Sequence, residues 1–264
     1  MSDTAAWWWR VLFAGAKLQM ARGRGAAFLV GGVALPIFYT VALVVMGRYL
    51  GRTDELAPFL VLGPAVMGVW QNSINTGAAV ISDERRAGTL ELLVAAPAAT
   101  ELVMLGRVSG STALSFVALP EALVTARLLG VDLAISDPLV AVAAVLGLGL
   151  ATMSVTLIFA SLFVLTRTTL VFQNAMGFPL FILSGVAFPV ALLPAWLQPA
   201  ASVVALTWVV GLLRSSFGVT SADATGRALL AISILTILYG VIGHFLFVRI
   251  ERAIRATGSI TLAG

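Results

Sequence analysis

PFLVLGPAVMGVWQNSINTGAAVI, residues Pro58–Ile81, runs straight into SDERRAGTLELLVAAP, residues Ser82–Pro97, and that junction decides the fold. The first segment has the length of a membrane-crossing helix, about 20 predominantly apolar residues. The second is the densest run of charge in the chain, and beyond it Met104–Leu129 is again mostly apolar. Hydrocarbon, charge, hydrocarbon is the pattern of two membrane spans joined by a short helix in water.

The composition agrees. The chain is 60% hydrophobic and 11% charged, against roughly 45–50% and 25% for a soluble domain. Six segments reach span length: Gly25–Met46, Pro58–Ile81, Met104–Leu129, Pro138–Leu165, Thr169–Val190 and Ala228–Val248. A further apolar stretch, Leu192–Leu213, is interrupted at its start by Pro194 and Pro199, which suits a re-entrant or interfacial hairpin better than a span.

Charge sets the orientation. With six spans and both termini cytoplasmic, the inner side holds Arg10, Lys17, Arg22, Arg24, Arg85, Arg86, Arg107, Arg167, Arg249, Arg252 and Arg255, eleven of the sixteen basic residues. The outer side holds the other five, Arg48, Arg52, Arg127, Arg214 and Arg227. That excess follows the positive-inside rule. A seventh span at Leu192–Leu213 would move the last three arginines outside and erase the bias, so the stretch is expected to dip into the outer leaflet and return. The net charge of +4 therefore marks orientation rather than nucleic-acid binding.

On a helix over Ala5–Gly25, Arg10, Lys17 and Arg24 recur every seven residues, while Trp7, Trp8, Val11, Leu12, Phe13 and Leu18 cover much of the rest. Tryptophan and arginine favour the headgroup layer. The spacing predicts an interfacial helix before the first span. The expected division is an interfacial segment over 1–24, one six-span domain over 25–248 and a cytoplasmic tail over 249–264.

Several chemistries lack their residues. A phosphate-binding P-loop needs a Gly-Lys-Ser/Thr end, and the only lysine, Lys17, sits between Ala16 and Leu18. There is no cysteine and one histidine, His244, which is expected to make a structural hydrogen bond in the last span; a proton relay there would need a carboxylate on another helix. No nucleophile elbow or catalytic carboxylate pair is visible, so an enzyme is not expected.

Three features remain. Gln71, Asn72, Ser73, Asn75 and Thr76 crowd into about two turns of the second span. They read as hydrogen bonds between helices, worth about 0.6 kcal/mol each, or as the lining of a translocation path. Glu121 follows Pro120 inside the third span, with Arg127 about 240° round the helix and so a poor partner. It is either hydrogen-bonded to a neighbouring helix or placed near the outer end of a substrate route. Ala143, Gly147 and Ala151 form a small-residue stripe that suits close helix packing within the bundle or between subunits.

Two motifs resemble a known family. Glu84-Arg-Arg-Ala-Gly-Thr-Leu-Glu91-Leu-Leu, followed by Pro97, is similar to the segment joining spans two and three of type-2 ABC-transporter permeases. Leu183-Ser-Gly185-Val-Ala-Phe-Pro189, Leu193-Pro-Ala-Trp196-Leu-Gln and Leu206-Thr-Trp-Val-Val-Gly-Leu-Leu-Arg214 resemble that family's region between spans five and six, nearest the antibiotic-resistance and nodulation-factor exporters. One departure is Ala205, where many relatives have proline.

The resemblance implies an all-α membrane protein of six transmembrane helices, with a connecting helix at the N-terminus, a cytoplasmic coupling helix between spans two and three and a re-entrant outer hairpin between spans five and six. It also implies a permease subunit of an ATP-driven exporter in the bacterial cytoplasmic membrane, moving a drug, lipid, glycolipid or natural product and paired with a second permease, identical or homologous. ATP and magnesium would be bound by a separate ATPase subunit and no cofactor by this chain. Docking on the ATPase falls to Asp83, Glu84, Arg85, Arg86, Thr89, Leu90, Glu91, Leu92 and Leu93. The residues allow the same reading: Gly88 interrupts the charge, Thr89 can cap a helix, and Leu90, Leu93 and Val94 share a face. The candidate path is Gln71, Asn72, Asn75 and Glu121, and the interfacial helix is marked by Trp7, Trp8, Arg10, Lys17 and Arg24. The alternatives are an ion-coupled secondary transporter using Glu121 and His244, with no internal repeat to support it, and a membrane-embedded enzyme.

Overall fold

A computed structural model describes residues 2–22, 25, 28–78, 80, 88, 100–163, 177, 179–186, 188–218 and 223–257, and among these there is no strand. Helix α1 spans Ser2–Arg22. A π-helical turn at Leu29–Ala34 leads into α2, Leu35–Tyr49, and α3 follows at Thr53–Gly77. Then come α4, Thr100–Ser115, α5, Ala118–Leu128, and α6, Pro138–Phe163. A 3-10 turn at Val190–Leu192 precedes α7, Gln198–Ser202, α8, Ala205–Ser215, and α9, Asp223–Thr257. The end of the bundle that holds Gly77, Thr100 and Arg249 is called inner below, after the charge bias.

Four helical stretches are long and apolar enough to cross a membrane: Leu29–Tyr49, Glu101–Leu128, Pro138–Phe163 and Ala224–Arg252. They coincide with the first, third, fourth and sixth expected spans. The second is α3, whose 25 residues cover about 37 Å at 1.5 Å per residue. It is long enough, but the amides from Gln71 to Thr76 make its inner end polar. Of the fifth, Thr169–Val190, the first eight residues lie outside the described residues; 177 and 179–183 are helical.

Local chemistry explains the boundaries. A proline ring clashes with the carbonyl four residues back, which for Pro120 is that of Phe116. There α4 gives way to α5, and the Phe116 carbonyl instead accepts from Leu119 N at 3.1 Å. Asp137 caps α6, its Oδ1 accepting from Leu139 N at 3.0 Å and Val140 N at 3.2 Å. Helix α9 does not stop at Val248: it has 35 residues, about 52 Å, and carries Arg249 and Arg252 well beyond a hydrocarbon core of about 30 Å. No glycine or proline interrupts it between Gly243 and Gly258, so the segment expected as a tail is helical as far as Thr257.

The main core joins α3, α6, α8 and α9 through Val66, Trp70, Leu148, Leu206, Val209 and Ile232. The small-residue stripe on α6 serves this packing, since a Cβ added at Gly147 would lie 3.2 Å from Ile232 Cγ2. Helices α2 and α9 turn large apolar side chains outward, among them Phe38, Met46, Ile234 and Phe245. A hydrocarbon surround accounts for such faces on a membrane bundle.

Candidate functional site

The polar cluster of α3 splits into two groups. Ser73 is fully buried, and its Oγ shares hydrogen bonds with Thr112 Oγ1 at 2.7 Å and Thr156 Oγ1 at 3.3 Å, tying α3 to α4 and α6. Thr76 Oγ1 donates to the carbonyl of Asn72 at 2.7 Å. These hydroxyls are satisfied and structural. Gln71 and Asn75 are different: Gln71 Nε2 donates to Asn75 Oδ1 at 3.0 Å, and both line a cavity of about 150 Å³.

The rest of that cavity is mostly apolar, with Leu35, Tyr39, Met67 and Phe181 on its wall. The π turn shapes it. A π-helical turn holds one more residue per turn than an α-helix and is common at functional sites; here it contains Gly31, on the cavity wall, and Gly32, whose added Cβ would come within 3.1 Å of Asn72 Nδ2. Asn72 is buried, and its Nδ2 makes no hydrogen bond. A buried amide left without a partner costs roughly 1–3 kcal/mol. The structure thus brings Gln71 and Asn75 together at the cavity, with Asn72 behind them.

Glu121 does not line this cavity. It lies in the first turn of α5, half-buried, with no hydrogen bond to Oε2. Arg127 is paired elsewhere, 3.7 Å from Asp132, with both side chains more than four-fifths exposed. His244 Nδ1 is bonded to Glu101 Oε1, so a carboxylate on another helix does stand beside the histidine. That carboxylate is not Glu121: twenty residues, about 30 Å of helix, separate Glu101 from Glu121 along α4 and α5.

Toward the inner end α1 packs against α4 with almost no side chain between. Added Cβ atoms at Gly15 and Gly110 would lie 2.8 Å from the Val103 carbonyl oxygen and 2.6 Å from that of Ala16, and one at Gly106 would collide with the Leu12 carbonyl. A buried polar chain crosses the seam. Arg107, 2% exposed, donates from Nε to Gln19 Oε1 at 3.1 Å, and Gln19 Nε2 donates to the Thr76 carbonyl at 3.2 Å. Trp7, Trp8, Arg10 and Lys17 are exposed on the rest of α1; Arg24 lies outside the described residues.

At the outer end the two halves of the second motif meet. Gly185 has φ +68°, a left-handed conformation that disfavours any side chain, and an added Cβ would also lie 2.6 Å from Val190 Cγ2. Across this turn Arg214 donates from Nη1 to the Gly185 carbonyl and from Nη2 to that of Val186, both at 2.9 Å, with its guanidinium 3.7 Å from the centroid of Phe59. Helix α8 begins at Ala205 without the proline of many relatives, and the preceding turn is held by Tyr239 Oη, which donates to the Val203 carbonyl.

Residues 9–217 match the family described as ABC-2 type transporter. The chain belongs to the ABC-2 type transporter family. It is a multi-pass membrane protein and a permease component of an ABC transporter, the kind of subunit that works with an ABC ATPase. No curated protein matches the chain.

In this ABC-2 transporter the motif residues Asp83, Glu84, Arg85, Arg86, Thr89, Leu90, Glu91, Leu92 and Leu93 lie outside the described residues. Gly88 alone is described between Ser82 and Pro97, with φ +66°. Sequence reasoning missed Gln19 and Glu101, whose partners Arg107, Thr76 and His244 lie on other helices far along the chain. It placed Arg107 only as an orientation charge and gave Arg214 no contact beyond its place in the second motif. One signal was available for Arg214: it closes the motif that Gly185 opens.

Proposed function

We propose that this chain is the membrane subunit of an ABC exporter that moves a hydrophobic or amphipathic substrate past Gln71 and Asn75. The observation that carries this reading is the cavity between the π turn, α2, α3 and Phe181: mostly apolar walls with two convergent amides suit a greasy molecule with one or two polar groups. Its volume, about 150 Å³, is below the roughly 300 Å³ of a drug-sized site. A second permease, identical or homologous, would complete it.

In this reading the Ser82–Pro97 segment is the cytoplasmic coupling helix, seated on an ATPase that binds ATP and magnesium. Arg85 and Glu91 would fix its register and Leu90, Leu92 and Leu93 would fill the groove. Helix α1 is the interfacial helix and α7–α8 the outer re-entrant hairpin; α8, with 11 residues or about 16 Å, is too short to span. Ion coupling through Glu121 and His244 gains nothing, because the two stand near opposite ends of the bundle. Both termini lie in the cytoplasm of a bacterial cell.

The test is co-purification with the cognate ATPase. Wild-type chain is expected to bring the ATPase with it and the Glu91→Ala/Leu92→Ala variant to lose most of it at unchanged thermal stability. Equal recovery with both would refute the docking assignment.

A further inference from the structure

The outward side of α9 carries Leu230, Ile234, Ile237, Val241 and Phe245, each more than half exposed. Spacings of three and four residues put them on one stripe. Toward the inner end this stripe runs into a hollow of about 360 Å³, lined by Phe245, Val248, His244 and two guanidinium side chains, Arg249 and Arg252. Both arginines are exposed, and neither has an ion-pair partner among the described residues. The carboxylate bonded to this wall, Glu101, is engaged by His244. Glu251 is two residues from Arg249, about 200° round the helix.

An apolar stripe that ends in two cations is complementary to an amphiphile with an anionic head. Guanidinium binds phosphate in bidentate fashion, and basic hollows beside membrane helices receive anionic headgroups. From Phe245 to Ile237 the stripe covers about 12 Å, within the ~15 Å hydrocarbon depth of one leaflet. A second copy of the chain packed through this same face would instead set four guanidiniums near one another. We propose that the inner end of α9 is a binding site for an anionic phospholipid, its phosphate on Arg249 and Arg252 and its acyl chains along Phe245, Val241 and Ile237.

The site is tested by native mass spectrometry of the full chain released from nanodiscs of equal parts phosphatidylglycerol and phosphatidylcholine. Wild type is expected to retain phosphatidylglycerol in preference to phosphatidylcholine, and retention is expected to fall roughly fivefold for each arginine removed in Arg249→Gln and Arg249→Gln/Arg252→Gln. Arg227→Gln, at the opposite end of α9, is expected to change nothing, and Arg249→Lys to keep most of the preference. Soluble glycerol phosphate should not displace the lipid, because it lacks the acyl chains. Equal retention of the two lipids, full retention by the double glutamine variant, or an equal loss with Arg227→Gln would each overturn the proposal. Loss of ATPase association in the double variant with lipid retention intact would assign the face to protein contact and overturn it as well.

Discussion

Two arginines are buried at opposite ends of this bundle, and they are held in different ways. Arg214, at the outer end, is clamped by backbone: two carbonyls of one turn and the face of Phe59. Arg107, at the inner end, is bonded to the side chain of Gln19, which in turn holds the carbonyl of Thr76. A carbonyl in a turn fixed by Gly185 cannot rotate away, whereas a side-chain amide can exchange partners at little cost. The outer contact is fixed by backbone, and the inner one connects α1 and α4 to the helix bearing Gln71 and Asn75.

The largest effect is expected at the outer clasp. Arg214→Ala removes two charge-assisted hydrogen bonds and leaves buried carbonyls unpaired, a loss of about 3–5 kcal/mol, read as a fall in thermal unfolding temperature in detergent. Arg214→Lys should recover little, since one ammonium cannot bridge both carbonyls and stack on Phe59. Full recovery would show that the charge alone matters and would erase the contrast with Arg107.

A smaller and more local effect is expected where α1 meets α4. Gly106→Leu puts a side chain where the Leu12 carbonyl lies, costing about 1–3 kcal/mol through overpacking. Limited proteolysis should then release α1 while α6, α8 and α9 stay protected; protection of α1 equal to wild type would contradict the close backbone packing. Gln19→Leu should cost only about 1–2 kcal/mol of stability yet reduce ATPase-coupled activity by a larger factor than Gly106→Ala at matched stability. Arg127→Ala, which breaks an ion pair open to water, should change stability by less than about 0.5 kcal/mol.

The sequence made the helical class and the positions of four spans legible because apolar runs of fixed length leave few alternatives in a membrane. Gly147 foretold close packing, and the break between α4 and α5 falls beside Pro120, inside what reads as one continuous span, since both residues act through the backbone whatever surrounds them. Pairings between distant segments were not legible. Nothing in the spacing connects Gln19 to Arg107, or Glu101 to His244, because each bond depends on how whole helices pack. The π turn was hidden for a similar reason: Gly31-Gly32 permits it, but Asn72 and the cavity beside it give it a role. Of the candidate path, Gln71, Asn72 and Asn75 gather at one place, while Glu121, although on the neighbouring α5, stays outside it.

The central claim is that a partner ATPase, gripping Ser82–Pro97, moves this bundle. The chain has no cysteine, so spin labels on Lys17→Cys and Arg127→Cys, in labelled chain diluted with an excess of unlabelled chain, report the distance within one chain between α1 and the outer end of α5. With the ATPase present, a non-hydrolysable ATP analogue should shift that distance distribution in wild-type background and leave it unmoved when Glu91→Ala/Leu92→Ala is added. A shift that survives the double substitution, or no shift in either, would contradict the account.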